Sequence, residues 1–408
     1  MQAKVVLLTQ WFDPEPTFKG LAFARELVRK GFEVEVVTGF PNYPGGKLYD
    51  GYRLRPIQRE VIDGVRITRL PLFPSHDGSA VKRIANYASF AMSSLFYGLI
   101  MLRRPDVIYA YHPPLTVGVT ASLLRLIRRI PVVYDIQDMW PDTLRATGML
   151  NNERILAIVS RVCDWVYRHV DRIVVLSPGF KRLLLERGVP ERKLDVIYNW
   201  CDEAALNADQ AASRNASGND RFRIVFAGNM GKAQALATVI EAAELLVKER
   251  PEVCFVLVGS GVEVDGLKQM VSTKGLGNVA FVPRVPMSEV GSILASADAL
   301  LVHLKDDPLF AVTIPSKTQA YMAIGKPLLM AVRGDAAEIV ERAACGVTAV
   351  PESARSLADA AIRLAAMSAE ARVEMGRRSR SFYEKELSLA EGVERFAVHF
   401  SALVARSA

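Results

Sequence analysis

Ile314-Pro315-Ser316-Lys317-Thr318-Gln319-Ala320-Tyr321-Met322-Ala323-Ile324-Gly325-Lys326-Pro327 reads as a lysine at a helix start, a helix of small residues, and a Gly-Lys-Pro turn into an apolar strand. The first turn of a helix leaves backbone N–H groups unpaired, so a cation there suits an anionic ligand. A helix that feeds an apolar strand through so short a turn is the repeating unit of a parallel α/β sheet.

The same alternation extends outward from that stretch. The first half offers apolar runs at Val5–Thr9, Val34–Thr38, Val107–Ala110, Val132–Asp135, Ile173–Leu176 and Val196–Tyr198. The second offers Arg223–Ala227, Phe255–Val258, Val279–Val282, Ala299–His303, Pro327–Ala331 and Val347–Val350, with helical patterns such as Leu236–Glu249 and Ala336–Ala344 between them. Between the halves, residues 203–220 are rich in Ala, Asn, Ser and Asp and have no apolar period, which predicts a linker. The expected organisation is therefore two doubly wound, Rossmann-like α/β domains, 1–202 and 221–385, facing a central cleft. Residues 386–408, with an amphipathic helix over Ala390–Ala405, are expected to pack back on the first domain.

At 408 residues, half of them hydrophobic, the chain has ample length for two cores. Its N-terminus shows no signal-peptide pattern, and Cys163, Cys201, Cys254 and Cys345 stand far apart, as free thiols in a reducing cytoplasm would. The net charge of +7 is lopsided: residues 1–200 carry 28 Lys+Arg against 19 Asp+Glu, and the remainder 23 against 25. Such asymmetry points to an anionic partner for the first half. With no zinc-finger, RNP or Arg-rich segment, a membrane surface is favoured over nucleic acid.

Two helical stretches bear on that partner. Residues 84–102 hold no charge and are flanked by Lys82-Arg83 and Arg103-Arg104. Asn86, three serines and Gly98 temper the apolar character, so a core-packed helix is the first reading, an interfacial helix the second, and a membrane span the last. Along 152–170, Arg154, Arg161 and Arg168 recur every seven residues opposite Ile155, Val159, Val162 and Val166. That stripe reads as a solvated face first and a headgroup-binding face second.

Candidate site residues cluster where strands end, the ligand edge of open α/β sheets. After the first strand comes Trp11-Phe12-Asp13-Pro14-Glu15-Pro16-Thr17-Phe18-Lys19-Gly20, where Gly20 opens a helix and lets a ligand approach its N–H groups. The loop Phe40–Gly46 presents Asn42 and Tyr43 for sugar contact; His112 closes a third strand; Asp138 and Trp140 follow a fourth. In the second half, Gly228-Asn229-Met230-Gly231-Lys232 joins strand to helix and suits phosphate oxygens, and Gly259-Ser260-Gly261 follows the next strand. The latter lacks a third glycine and a placed acid, so a dinucleotide is disfavoured. Asp335-Ala336-Ala337-Glu338 reads as a capping box. No DxD, HExxH or GxSxG motif occurs, which leaves metal and serine-hydrolase chemistry without support.

Taken in order, FDPEPTFKG, TGFPNYPGGKLYDGY, YDIQDMWPD, FAGNMGKAQ and IPSKTQAYMAIGKP resemble glycosyltransferase family four, of GT-B fold, and within it a WbuB-like branch of bacterial O-antigen and polysaccharide synthesis. The resemblance implies a metal-independent retaining transferase that needs no cofactor. Its donor is a UDP-sugar, such as UDP-N-acetyl-L-fucosamine, held by the second domain. Its acceptor is a polyprenyl-diphosphate-linked saccharide held by the first, at the inner face of the plasma membrane.

Carried onto this chain, donor contacts fall on Gly20, Gly228, Asn229, Gly231, Lys232, Gly259, Ser260, Pro315, Ser316 and Ala320. Acceptor contacts fall on Glu15, Thr17, Asn42, Tyr43 and Trp140, and catalysis on Lys317, His112 and Asp138. Relatives carry two glutamates in the clamp, where this chain has Val312 and Ala320, and a cation pair where it has Asn229 and Gln234. Lys317 is the natural replacement cation. A UDP-sugar 2-epimerase and a non-catalytic transferase-like subunit are the competing readings.

Overall fold

The computed structural model describes residues 2–75, 80–146, 148–207 and 221–407. The chain divides into two compact units, Met1–Tyr198 with Gly392–Ala408, and Asn199–Glu391.

Eight strands form the sheet of the first unit: β1 (Lys4–Leu8), β2 (Glu33–Gly39), β3 (Gln58–Ile62), β4 (Val65–Leu70), β5 (Val107–His112), β6 (Val132–Ile136), β7 (Arg172–Val175) and β8 (Leu194–Val196). Their order is β3-β4-β2-β1-β5-β6-β7-β8, and every pairing is parallel except β3 with β4. Central strands are buried on both faces, which is why they read as continuous apolar runs rather than alternating ones. The β3–β4 hairpin is absent from the sequence expectations because β3 alternates half-buried and exposed residues. Its turn, Asp63-Gly64 with both φ values positive, is the legible hairpin signal.

The second sheet holds β9 (Phe222–Asn229), β10 (Val253–Ser260), β11 (Val279–Val282), β12 (Ala299–His303), β13 (Leu328–Ala331) and β14 (Gly346–Thr348). Its order, β11-β10-β9-β12-β13-β14, is all parallel and doubly wound. Phe226, Phe255, Leu257, Leu301 and Leu329 form its core with Val239, Ile240 and Leu246 of helix Ala237–Glu249.

Helix Leu389–Ser407 carries the chain back into the first unit. There Phe396 meets Phe23 and Tyr109 at ring distances of 5.3 and 5.4 Å, and Asp195 takes both His399 Nε2 (2.8 Å) and Arg395. The predicted linker is structured at its start. Glu203–Asn207 is a short helix whose Leu206 is buried, with its carbonyl against Gly291 of helix Met287–Ala295. Positions 208–220 lie outside the described residues.

Helix Ala80–Ile100 departs from the core-packed reading. Asn86, Phe90, Ser94 and Tyr97 are buried, while Ile84, Met92, Phe96 and Ile100 are each at least 61% exposed. No helix among the described residues is long and apolar enough to cross a membrane. On helix Glu153–His169 the arginine stripe is exposed, but Ile155 shares that exposed side, and Leu156, Cys163, Val166 and Tyr167 make the buried face. The expected capping box at Asp335 does not form. Gly334 takes the N-cap position without a side-chain bond, because its φ of 71° and the Ala311 carbonyl leave no room for a Cβ.

Candidate functional site

In the second unit, β9 and β12 are the neighbours at which the winding reverses, and ligands of open α/β sheets sit beyond the carboxyl ends of such strands. Helix Ser316–Ile324 is fastened there by Tyr321. The Tyr321 hydroxyl accepts from Ala227 N at 2.8 Å and lies 3.3 Å from Ala227 O, which closes the end of β9 against the helix. Lys317 is one turn earlier on the same face, so this anchor lays its side chain across Gly228. A Cβ on Gly228 would stand 2.6 Å from Lys317 Cε and 2.9 Å from Nζ, and the glycine's φ of +141° disfavours any other residue.

Lys317 is half-buried, and burial pulls its pKa down to about 8. Its Nζ stands 4.8 Å from the centre of the Phe226 ring, and no carboxylate pairs with it among the described residues. A partly desolvated ammonium beside bare glycine backbone is arranged to receive an anion.

The neighbouring loop is tighter than its glycines suggest. Gly231 N donates to Gln234 Oε1 at 3.0 Å, Met230 N to Ser260 O at 2.8 Å, and the following α-helix starts only at Ala237. The strand-to-helix join expected at Gly228–Lys232 is therefore a closed turn in which the Gly231 N–H is already spent. The Gln234 side chain closes it. Gly259 and Ser260 lie in register with Gly228 and Asn229, and a Cβ on Gly259 would sit 2.0 Å from Gly228 O. Asn229, Lys232, Ser260 and Ser316 are exposed, while Pro315 and Ala320 are half-buried beside Lys317 in sequence.

His303, at the end of β12, went unremarked in the sequence. Its Nδ1 donates to Gln234 O at 2.8 Å, which leaves the buried Nε2 as a lone-pair acceptor without a partner among the described residues. The signal that selects His112, a histidine closing a strand at the ligand edge, applies equally to it.

In the first unit the predicted residues divide into scaffold and surface. Buried Glu15 accepts from Asn42 N (2.7 Å), Tyr43 N (2.8 Å) and Phe12 N (3.1 Å), and burial, opposed by these bonds, raises its pKa to about 7. Asn42 is only 1% exposed and spends its amide on Phe40 O and Asn86. Gly20 does open a helix, but the Asp13 carboxylate already accepts from Leu21 N at 2.6 Å.

Tyr43 is half-exposed, stacked on Trp11 at 4.6 Å, with Tyr87 edge-on to Trp11 at 6.4 Å. Thr17 lies against Tyr111. His112 is buried edge-on beneath Trp140 at 5.2 Å, and burial lowers its pKa to about 3, so the ring is neutral. Asp138 is half-buried, and burial raises its pKa. Among the described residues no three His, Cys, Asp or Glu side chains gather as a metal site.

Two family descriptions match the chain in tandem: "Glycosyl transferase 4-like domain" over residues 21–200 and "Glycosyl transferases group 1" over 208–382. The chain is a glycosyltransferase of GT-B fold.

The "Putative colanic acid biosynthesis glycosyl transferase WcaI" of Escherichia coli is 29% identical over 73% of this glycosyltransferase and 75% of its own length. The "Probable glycosyltransferase WbjE" of Pseudomonas aeruginosa is 28% identical over 58% and 60%. Among solved structures, Anabaena Alr3699/HepE in complex with UDP and glucose superposes with a TM-score of 0.67 at 17% identity, covering 98% of this chain and all of that one. Sucrose-phosphate synthase from Thermosynechococcus elongatus gives 0.72 at 17% identity, over 99% and 100%.

Trp11, Tyr87 and the buried pair Lys19–Asp135 are further residues that sequence reasoning passed over in this glycosyltransferase. Lys19 lies 3% exposed over the Phe396 ring, while Asp135 accepts from Tyr109 at 2.6 Å. Their partners stand up to 377 positions away along the chain, which no local pattern reveals.

Proposed function

We propose that this glycosyltransferase moves a sugar, an N-acetylated deoxyhexosamine, from its UDP-sugar to a polyprenyl-diphosphate-linked saccharide in bacterial surface polysaccharide synthesis, with retention and without a metal. The observation that carries the reading is Lys317, a half-buried ammonium with no acidic partner among the described residues, laid over Gly228 at the switch point of the second sheet. The solved relative that binds UDP and UDP-glucose supports the nucleotide. The polysaccharide role named for one of the two curated relatives supports the acceptor class.

In this reading the bond between the sugar C1 and the diphosphate oxygen breaks while Lys317 neutralises the charge that gathers on the departing UDP. The acceptor hydroxyl attacks C1 from the same face and hands its proton to a phosphate oxygen, so no protein nucleophile is needed. His112, held neutral by burial, serves to orient the sugar, and Asp138 to orient it or to offset positive charge at C1. Acceptor binding falls to the Tyr43 and Trp140 faces of the first unit, and the enzyme works at the inner face of the plasma membrane.

The test is a panel of UDP-sugars incubated with and without lipid-linked acceptor while UDP release is followed. Acceptor-dependent release supports the reading. A new UDP-sugar formed without acceptor would instead identify an epimerase, and thermal stabilisation by GDP but not UDP would overturn the nucleotide.

A further inference from the structure

Helix Ala80–Ile100 has its polarity turned inside out for a surface helix of a globular protein. At 100° per residue, Ile84, Ala88, Met92, Leu95, Phe96, Leu99 and Ile100 span roughly 160° of arc, and the buried Asn86, Phe90, Ser94 and Tyr97 lie opposite. The outward arc thus carries exposed large apolar side chains, while the inward one carries Phe90 and three hydrogen-bonding residues, Asn86, Ser94 and Tyr97. Asn86 accepts from Gln10 Nε2 and donates to Asn42 and to Phe73 O, and its neighbour Tyr87 meets Trp11 edge-on. The helix is therefore tied rigidly into the aromatic cluster of the first unit while presenting apolar surface to the outside. Leu126 and Ile127, at the end of the adjoining helix Leu115–Arg128, are also exposed.

Charge decides what covers this face. From residue 78 to residue 134 the sequence holds seven basic residues and one acid, Asp106, whose carboxylate is engaged by Lys4 N at 2.7 Å. Arg125 is paired with Asp171 and Arg128 is spent on the Gly98 and Leu102 carbonyls, so the basic residues at the two ends of the helix set the charge of this face. Lys82 and Arg83 flank one end of the apolar stripe, and Arg103 and Arg104 the other. A second copy of the chain would set the same basic rims against each other, whereas an anionic surface meets both. We propose that the outward face of helix Ala80–Ile100 lies on an anionic lipid bilayer. Ile84, Met92, Phe96 and Ile100 enter the acyl boundary, and Lys82, Arg103 and Arg104 sit at the phosphate level. This deepens the lipid-linked acceptor reading and rests on it for its purpose: the helix that touches lipid also carries Tyr87, so docking brings the aromatic cluster to the headgroup plane.

The test is flotation of the full chain with phosphatidylcholine vesicles, with and without phosphatidylglycerol, compared with the double variant Met92→Asp/Phe96→Asp. Both residues are exposed, so the variant is expected to keep its melting temperature. Support is flotation of the unaltered chain with phosphatidylglycerol vesicles, its reversal by salt, and a loss of at least about tenfold in the variant. The proposal is overturned if the unaltered chain stays unfloated, if the variant floats equally, or if light scattering finds a dimer that the variant splits. Stabilisation by UDP is read on the same samples. Its absence beside intact flotation counts against the donor reading alone, and its presence beside failed flotation counts against this surface alone.

Discussion

The two units place polar groups at the same edge of the same kind of sheet and use them in opposite ways. In the first, Glu15 is consumed by three backbone N–H groups, Asn42 by Phe40 and Asn86, and Asp13 by the helix start at Leu21. These side chains form a rigid frame, and what they leave outward is ring surface from Trp11, Tyr43 and Tyr87. In the second, glycines bare the backbone and Lys317 has an aromatic face but no acid beside it among the described residues. One edge is satisfied from within and built for shape; the other keeps an unmatched charge and is built for an ion. Loss of a polar group is therefore expected to cost stability in the first unit and turnover in the second.

The widest break in that contrast is Lys317→Ala. UDP release from the donor is expected to fall by about 10²–10³. The melting temperature should hold, because a half-buried ammonium with no counter-charge among the described residues adds little to folding. Near-normal turnover would remove Lys317 from the chemistry. Glu15→Ala should do the reverse: three buried donors lose their acceptor, at a cost on the order of 3 kcal/mol in urea unfolding, while UDP affinity of the folded fraction stays constant. Glu15→Gln, whose one amide oxygen can still accept from Asn42 N and Tyr43 N while its NH2 faces Phe12 N, should recover part of the loss. An unchanged unfolding midpoint in Glu15→Ala would mean that the frame does not depend on it.

Acidity sharpens the comparison further. The folded pKa of Lys317, about 8, lies below its ordinary value of 10.5, so the unfolded chain binds more protons between the two. Its contribution to stability therefore rises as pH climbs through that window. Ligand binding has the opposite sign: a bound diphosphate favours the charged amine, so UDP affinity should be full below about pH 8 and weaken above it, by up to about tenfold per unit. Calorimetric titrations across pH 7 to 10 check this, and the slope should vanish in Lys317→Ala. The smallest expected effect is that of Tyr321→Phe. Removing the hydroxyl leaves Ala227 N–H unpaired at about 1–2 kcal/mol and loosens the anchor that sets Lys317, which should appear as a several-fold loss of UDP affinity. A loss of stability with no change in affinity would separate the anchor from the site.

Much of this was legible along the chain. Apolar runs announced the parallel strands, so Val279–Val282, mostly half-buried at the sheet edge, and Ala299–His303, buried throughout, coincide with β11 and β12 as expected. The β3–β4 hairpin stayed hidden because its apolar content is low, although Asp63-Gly64 marks its turn. Lys317 was visible as a helix-start cation, but neither its position over Gly228 nor its lack of an acid was, since both follow from where Tyr321 fastens the helix. Asn42 looked like a sugar contact from its loop and proved to be a buried strut, because its partner Asn86 is 44 positions away.

By itself, then, the sequence determined what periodicity and local chemistry can encode: two doubly wound sheets, the loops at their carboxyl edges, and a cation at the start of helix Ser316–Ile324. Tertiary structure alone decided which polar groups are spent and which remain unmatched, because hydrogen-bond partners, burial and the face a helix turns outward depend on residues distant in the chain. The Ile314–Pro327 stretch carries the lysine; the packing of Tyr321 on Ala227 is what points it across Gly228.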